Sequence, residues 1–123
     1  MLIEGLYELV DFKYKDDIVD AVIRLNKDHQ IFEGHFPGHP VLPGVCVIQI
    51  IKELAEKALQ KNLILSVASN VKFMAVINPE KNDTIQLQLH ITSTEEGVKV
   101  KNTVHIDDIL ALKLNATFKN RPV

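Results

Sequence analysis

A segment rich in proline and glycine, leading directly into an apolar stretch, is the feature that most restricts how this chain can fold. Between Glu33 and Gly44 the sequence EGHFPGHPVLPG carries prolines at 37, 40 and 43 and glycines at 34, 38 and 44. Each proline fixes its own φ and disfavours helix at the preceding residue, so the segment forms neither a regular helix nor a central strand. We therefore expect a stiff loop of defined shape between two regular elements.

The loop leads into the strongest helix signal of the chain. The segment VCVIQIIKELAEKALQK carries apolar residues at helical spacing, at positions 47, 51, 54, 55 and 58. Its first two turns, 45–51, are apolar on every side except at Gln49. We therefore expect the helix to begin in the interior and to reach solvent in its later turns.

Strand-like segments lie on both sides of the helix. Residues 6–14 and 18–27 carry β-branched and apolar residues in rough alternation around Asp16 and Asp17, which predicts an opening antiparallel hairpin. Four further segments after Asn62 predict strands, and DTIQLQLHITST alternates as a strand with one buried face does. This order favours an α+β fold in which an antiparallel sheet wraps around one long central helix, as a single domain over residues 1–123.

The composition excludes several classes of protein. The chain has 123 residues, of which 46% are hydrophobic and 24% charged, with a net charge of −2, as in an ordinary globular domain. Lysine and arginine form no basic block, so we expect no nucleic-acid partner. Cys46 is the only cysteine, which excludes an internal disulfide and a cysteine-based zinc cluster. We find no signal-peptide pattern and no apolar run near the roughly 20 residues of a membrane span, and we expect a cytoplasmic protein without cofactor or metal.

The ten residues from His35 to Gly44, HFPGHPVLPG, resemble the HFPGxPxxPG loop of the 3-hydroxyacyl-[acyl-carrier-protein] dehydratases, which also leads into an apolar helix. The resemblance implies a hot-dog fold and the elimination of water from 3-hydroxyacyl thioesters of acyl carrier protein, in fatty-acid or related lipid or polyene biosynthesis. It also implies a homodimer or a trimer of dimers. In that assembly His35 would face Gln49 of the partner subunit.

His35 is the expected catalytic base. An imidazole titrates near neutrality, and a base works best when its pKa is close to the operating pH. The competing interpretation is a structural histidine packed into a proline-rich loop, and the motif favours the catalytic one. His39 falls at the family's variable position, so we interpret it as a loop residue.

Five residues are assigned to substrate binding: Phe36, Gly38, Gly44, Val45 and Phe73. The backbone N–H groups of Gly44 and Val45 open the helix without intrahelical acceptors, so they suit an oxyanion in the arrangement of the family. Gly44 could equally serve only the tight turn into the helix. The aromatic side chains, with Met74, predict the wall of an acyl tunnel, and ordinary core packing is the competing interpretation.

Gln49 occupies the position where the family carries the Glu or Asp that handles the departing hydroxyl. An amide can hydrogen-bond a hydroxyl or a water but has no proton to give at neutral pH. The general acid of the family, a group that commonly contributes about 10²–10⁴-fold, is therefore missing. We assign Gln49 to catalysis beside His35, and the competing interpretation is that it begins a solvated stripe through Glu53, Glu56 and Gln60.

Three functions stay open on these residues. The first is a dehydratase in which His35 shuttles the proton and Gln49 orients the hydroxyl or a water. The second is a weakly active or inactive dehydratase-like subunit that binds an acyl chain or pairs with an active partner, and the third is an acyl thioesterase. The carrier protein should dock on a basic surface, for which the candidates are Lys72, Lys99, Lys101 and Arg121.

Overall fold

The regular elements are six β-strands and one long helix, in a computed structural model that describes residues 4–34, 38 and 40–121. A 3₁₀ turn, Gln30–Phe32, precedes the proline-rich loop. The elements in chain order are β1 (Tyr7–Lys15), β2 (Ile18–Leu25), α1 (Gly44–Leu59), β3 (Leu63–Phe73), β4 (Thr84–Ser93), β5 (Gly97–Ile106) and β6 (Ile109–Asn120).

The strands form one sheet in the order β1-β2-β4-β5-β6-β3. Every neighbouring pair in it is antiparallel. The strand order leaves β1 and β3 as the two edges. The predicted antiparallel sheet around one central helix is confirmed, and the six strand segments and the helix segment expected from the sequence are all present within a few residues of their expected ends.

The turns follow the residues that predicted them. Asp16 and Asp17 join β1 to β2 with φ of 52° and 63°. Two left-handed residues in a two-residue connection match the right-handed twist of the flanking strands. Asp107, with φ of 53°, begins the turn between β5 and β6.

The core lies between the concave face of the sheet and α1. The residues of β4 that alternation assigned to the interior, Ile85, Leu87, Leu89 and Ile91, are all buried. The helix contributes six buried side chains to the same core: Cys46, Val47, Ile50, Ile51, Leu54 and Ala55. Burial of each of the larger aliphatic side chains contributes roughly 1.5–3 kcal/mol to stability.

The start of α1 is less enclosed than the sequence suggested. Cys46 and Val47 are buried, but Val45 is 71% exposed. The difference arises because the helix packs on the sheet along one side, and Val45 lies on the opposite side, in line with Gln49 one turn later. Among the described residues, no helix is long and apolar enough to cross a membrane.

Candidate functional site

The expected base, His35, lies outside the described residues, together with Phe36 and His39. The chain that leads into the loop lies within the described residues, and the side chain of His29 holds it in place. The Nδ1 atom of His29 accepts a hydrogen bond from the backbone N–H of Ile31 at 3.0 Å. Because a neutral imidazole has one acceptor and one donor, its Nε2 donates to the backbone oxygen of Glu4 at 2.8 Å. Both nitrogens of His29 are thus engaged in holding the start of the loop.

The chain that leaves the loop is anchored to the segment after β3. The backbone N–H of Leu42 donates to the carbonyl oxygen of Ile77 at 2.9 Å. Pro40 and Leu42 are both buried. Hydrogen bonds therefore hold the described chain on both sides of the loop, at His29 before it and at Leu42 after it.

The first amides of α1 lie where they could bind an anion. Pro43 stands at the N-cap position and supplies no side-chain hydrogen bond. Its carbonyl oxygen accepts from the N–H of Cys46 at 3.0 Å and from that of Val47 at 3.3 Å. Within the described part of the chain, the N–H groups of Gly44 and Val45 have no acceptor. Two donors at the positive end of a helix dipole are suited to a developing oxyanion.

An apolar cavity of about 340 Å³ opens at this helix start. Its size falls within the range of about 300–1,000 Å³ that is usual for small-molecule sites. The Phe73 ring forms one wall, and a Cβ added to Gly44 would lie 2.7 Å from its Cζ atom. Glycine is therefore required at position 44 for this ring to lie against the helix. The lining residues are Val41, Leu42, Pro43, Gly44, Phe73, Met74, Ala75, Val76 and Ile77.

Gly38 lies apart from this cavity. It adopts a left-handed φ of 81° in an exposed turn. It lines a separate hollow of about 530 Å³ with Lys27, His29 and Glu80 among its other walls. Other hollows among the described residues are larger than the cavity at the helix start, but they have more polar walls. The structure thus brings Gly44 and Phe73 together, whereas the role of Gly38 in substrate binding stays a prediction.

Gln49 is half-buried on α1 and does not line that cavity within the described residues of the same chain. Its Nε2 donates a hydrogen bond to Oε2 of Glu53 at 2.8 Å. The hydroxyl of Tyr7, on β1, donates to the other oxygen of Glu53 at 2.7 Å. Burial, with the hydrogen bond and negative charge of Glu53, raises the pKa of Tyr7 above its ordinary value.

The contact between Gln49 and Glu53 was readable from their i, i+4 spacing, which places two side chains on one helix face. The helical spacing by itself predicts for Glu53 only a place in a solvated stripe. Tyr7 lies 46 residues from Glu53, so no local pattern indicated its participation. Cys46 has the buried environment that is usual for a free cysteine, and burial raises the pKa of its thiol.

A groove of about 530 Å³ on the outer face of the sheet collects basic side chains. Lys72 pairs with Lys113 across β3 and β6, and Lys101 pairs with His90 across β5 and β4. These four residues line the groove together with neutral neighbours. No carboxylate is among the described residues that line it. Both ion pairs found in the described part of the chain involve other residues.

In comparisons with known proteins, both the family model and two of the similar sequences that match this chain are those of dehydratases. The family model described as "ApeI-like: ApeI dehydratase" matches residues 11–111. The 3-hydroxyacyl-[acyl-carrier-protein] dehydratase FabZ of Lactobacillus helveticus is 28% identical, over 92% of this chain and 88% of its own length. The FabZ of Clostridium acetobutylicum is 29% identical, over 85% of this chain and 82% of its own length.

Solved structures share the fold. The dehydratase heterocomplex ApeI:P from Xenorhabdus doucetiae contains a chain that matches with a TM-score of 0.75 at 20% identity, over 92% of this chain and 97% of that one. A hypothetical thioesterase from Streptococcus pneumoniae, solved with coenzyme A, matches with a TM-score of 0.68 at 11% identity, over 94% and 85%. The hot-dog architecture that the loop motif implied is confirmed.

Proposed function

The chain belongs to the ApeI-like dehydratase family, and from this premise we propose that it removes water from 3-hydroxyacyl thioesters of acyl carrier protein to give trans-2-enoyl thioesters. The observation that carries the proposal is the pair of free amides at Gly44 and Val45 beside an apolar cavity. The amides suit the thioester oxygen, and the cavity suits the acyl chain. A thioester with an apolar chain is the substrate class that needs both together.

The proposed chemistry divides the work between two side chains. The thioester oxygen, bound by the amides of Gly44 and Val45, accepts charge as His35 removes a proton from C2. The electron pair of that C–H bond forms the C2–C3 double bond, and the hydroxyl leaves from C3. Because Gln49 has no proton to give, His35 delivers its newly acquired proton to the departing hydroxyl while the amide of Gln49 orients it. The products are water and the enoyl thioester.

We propose that two subunits form a dimer along β3, in agreement with the assembly expected from the resemblance. This edge strand exposes an unusual number of apolar side chains: Ile64, Leu65, Val67, Val71 and Phe73. The cavity lies at its C-terminal end, so a second subunit along β3 would cover it. The partner would then face Gln49 and Val45, which is exposed in the same region of the helix. In this arrangement Gln49 approaches His35 of the partner subunit. The ApeI:P heterocomplex makes a second, dehydratase-like chain the alternative occupant.

The groove lined by Lys72, Lys101 and Lys113 is the docking surface we propose for the carrier protein. Lys72 and Lys113 stand directly opposite each other, an arrangement of like charges that costs stability unless an anionic partner compensates it. Lys72 also directly precedes Phe73, which forms the wall of the cavity. Of the other sequence candidates, Lys99 and Arg121 do not line the groove within the described residues.

The test of the reaction uses purified protein and a 3-hydroxyacyl thioester, with the interconversion to the enoyl thioester followed in the ultraviolet. We expect weak turnover that His35→Ala abolishes and Gln49→Glu raises, because a carboxyl at position 49 restores the missing acid. The matched control is His39→Ala, the other histidine of the same loop, which should leave turnover unchanged.

Two other outcomes identify the competing functions. The replacement of the family's carboxylate by Gln49 favours the weakly active or partner subunit as the second candidate. The absence of turnover in both the wild type and Gln49→Glu would favour that function and overturn the dehydratase proposal. The release of free thiol without formation of the enoyl product would identify a thioesterase.

The test of docking compares two forms of one substrate. The double variant Lys72→Glu/Lys101→Glu should lower kcat/KM for the carrier-protein thioester and leave the pantetheine thioester unaffected. The control reverses the charge of two lysines outside the groove, Lys27→Glu/Lys81→Glu. We expect the effect to shrink as salt is added, because exposed charges are screened. An equal loss with both substrate forms would reject this surface.

A further inference from the structure

Glu53 joins two donors that come from different elements. One oxygen accepts from Gln49 on the same helix at 2.8 Å, and the other accepts from the Tyr7 hydroxyl on β1 at 2.7 Å. All three side chains are half-buried. Both ion pairs present among the described residues lie elsewhere, so Glu53 has two hydrogen bonds but no cation at ion-pair distance there.

This arrangement determines which end of the Gln49 amide contacts Glu53 and which end can bind another group. An ionised carboxylate can only accept hydrogen bonds, so the amide nitrogen must face Glu53 and the amide oxygen must point elsewhere. The orientation therefore follows from chemistry and does not depend on telling nitrogen from oxygen by shape. Within the described residues, no donor reaches Oε1 of Gln49.

Tyr7 keeps the carboxylate in place. Its hydroxyl remains a donor over the whole neutral range, because burial and Glu53 raise its pKa. Without this hydrogen bond, a glutamate on a helix surface would sample several rotamers, and fixing one of them costs side-chain entropy. The hydrogen bond from β1 therefore restricts Glu53, and Glu53 in turn restricts Gln49.

We propose that Glu53, held by Tyr7, is a positioning residue that turns Oε1 of Gln49 towards the reaction, where it accepts a hydrogen bond from the substrate hydroxyl or from water. This inference rests on the proposed function, and it assigns Gln49 a definite part in it. Gln49 orients the departing group as an acceptor. It does not stand in for an acid, and the carboxylate that controls it lies one helical turn away.

The variant Glu53→Gln tests this role with little change of shape. A glutamine at position 53 can both donate and accept, so either end of the Gln49 amide could face it and the orientation is lost. We expect kcat to fall on the order of 10- to 100-fold, because small misplacements of a positioning group have effects of that size. KM should change little, since the amides and the cavity that bind the thioester are untouched.

The matched control is Glu56→Gln, the same substitution three residues later. Glu56 accepts the N–H of Leu63 at 2.9 Å and lies 3.9 Å from Lys52, so the change perturbs helix packing but not Gln49. We expect its kcat to stay within about twofold of the wild type, because a glutamine at position 56 can still accept the N–H of Leu63 and leaves the contact between Gln49 and Glu53 in place. Tyr7→Phe should give an intermediate loss, because Glu53 keeps one of its two donors.

A second readout does not require turnover. The side-chain amide protons of Gln49, assigned in nitrogen-15 NMR spectra by their absence in Gln49→Ala, should be shifted downfield by the carboxylate. We expect this shift to disappear in Glu53→Gln and to persist in Glu56→Gln. Unchanged amide signals in Glu53→Gln would overturn the inference directly.

The two readouts separate this inference from the proposed reaction. If wild-type protein and Gln49→Glu both lack turnover while the amide shift behaves as expected, the proposed reaction fails and the positioning contact stands. If Gln49→Ala lowers kcat but Glu53→Gln leaves it unchanged, the reaction stands and the positioning role is refuted.

Discussion

Gly44 meets two demands at one position of the chain. Its amide is one of the two free donors at the start of α1, and its lack of a side chain leaves room for the Phe73 ring. No other residue type meets the second demand, because any Cβ would collide with that ring. The glycine of the motif therefore determines both a binding group and the shape of the cavity beside it.

The substitution Gly44→Ala should separate activity from stability. The added Cβ would displace the Phe73 ring, which is 62% exposed and can move without disturbing the core. Alanine is also a better helix former than glycine, although the difference is largest in a helix interior and Gly44 is the first residue of α1. We expect kcat/KM for the thioester to fall and the unfolding temperature to stay level or rise. Full activity with a lowered unfolding temperature would contradict this account.

Tyr7 should make stability depend on pH in the alkaline range. Because its pKa is raised in the folded protein, the folded state holds the phenolic proton more tightly than the unfolded chain does. Its contribution is therefore complete below the unfolded-state pKa of about 10 and is lost progressively as the pH rises above it. Urea unfolding between pH 8 and 11 should show this decline, with a smaller slope in Tyr7→Phe.

Tyr14 provides the control for that measurement. It lies on the same strand and is more exposed. Tyr14→Phe should leave the alkaline slope as in the wild type. An equal change of slope in both variants would mean that the Tyr7–Glu53 contact does not hold in solution.

At the scale of elements, the hairpin between β4 and β5 is packed against β6 more tightly than its sequence suggests. Gly97 begins β5, and a Cβ at this position would overlap the carbonyl oxygen of Phe118 and crowd the backbone of Lys119. The same turn is closed by hydrogen bonds between Thr94 and Gly97. The glycine therefore allows two backbones to approach each other.

Gly97→Ala should destabilise the protein as a whole. The clash is with backbone atoms, which cannot rotate away, so we expect a loss of at least about 1–3 kcal/mol in the free energy of unfolding, the usual cost of overpacking. Gly34→Ala is the control, because the nearest contact of its added Cβ among the described residues is an ordinary 3.9 Å. Chemical denaturation of both variants measures the difference, and equal stability of the two would contradict the packing described.

At the scale of the whole molecule, the two edges of the sheet differ in character. The β3 edge combines exposed apolar side chains with the end of the cavity, whereas β1 is the far edge of the sheet and carries its own hydrogen bond to α1 through Tyr7. The proposed dimer uses β3 because this edge exposes apolar side chains and ends at the cavity beside the start of α1.

Val67→Lys should therefore yield a monomer. Val67 is 51% exposed on β3, and a lysine on an edge strand opposes pairing with another chain. Val10→Lys, an equivalent substitution on the exposed part of β1, should leave the oligomer intact. Sedimentation velocity distinguishes the two, and loss of thioester turnover should accompany the loss of the dimer. A dimer that survives Val67→Lys but not Val10→Lys would place the interface on the other edge.

The order of the residues is enough to predict the local structure of this protein. Alternation in β4, helical spacing after Gly44 and the aspartates of the first turn each concern residues within a few positions of one another, so the order of residues alone is enough to predict them. The loop motif, ten residues long, likewise identified the family and the free amides at Gly44 and Val45.

Which distant residues come into contact depends on how the chain packs in three dimensions. The contact of Phe73 with Gly44, the hydrogen bond of Tyr7 to Glu53 and the groove that adds Lys113 to Lys72 and Lys101 all depend on strand register and helix orientation. These are set by how the whole core packs, and a shift of one residue in register would turn the same lysines to the opposite face. For this reason the residues of the site could be proposed from the sequence, but the hydrogen bond from Tyr7 that holds Glu53 could not.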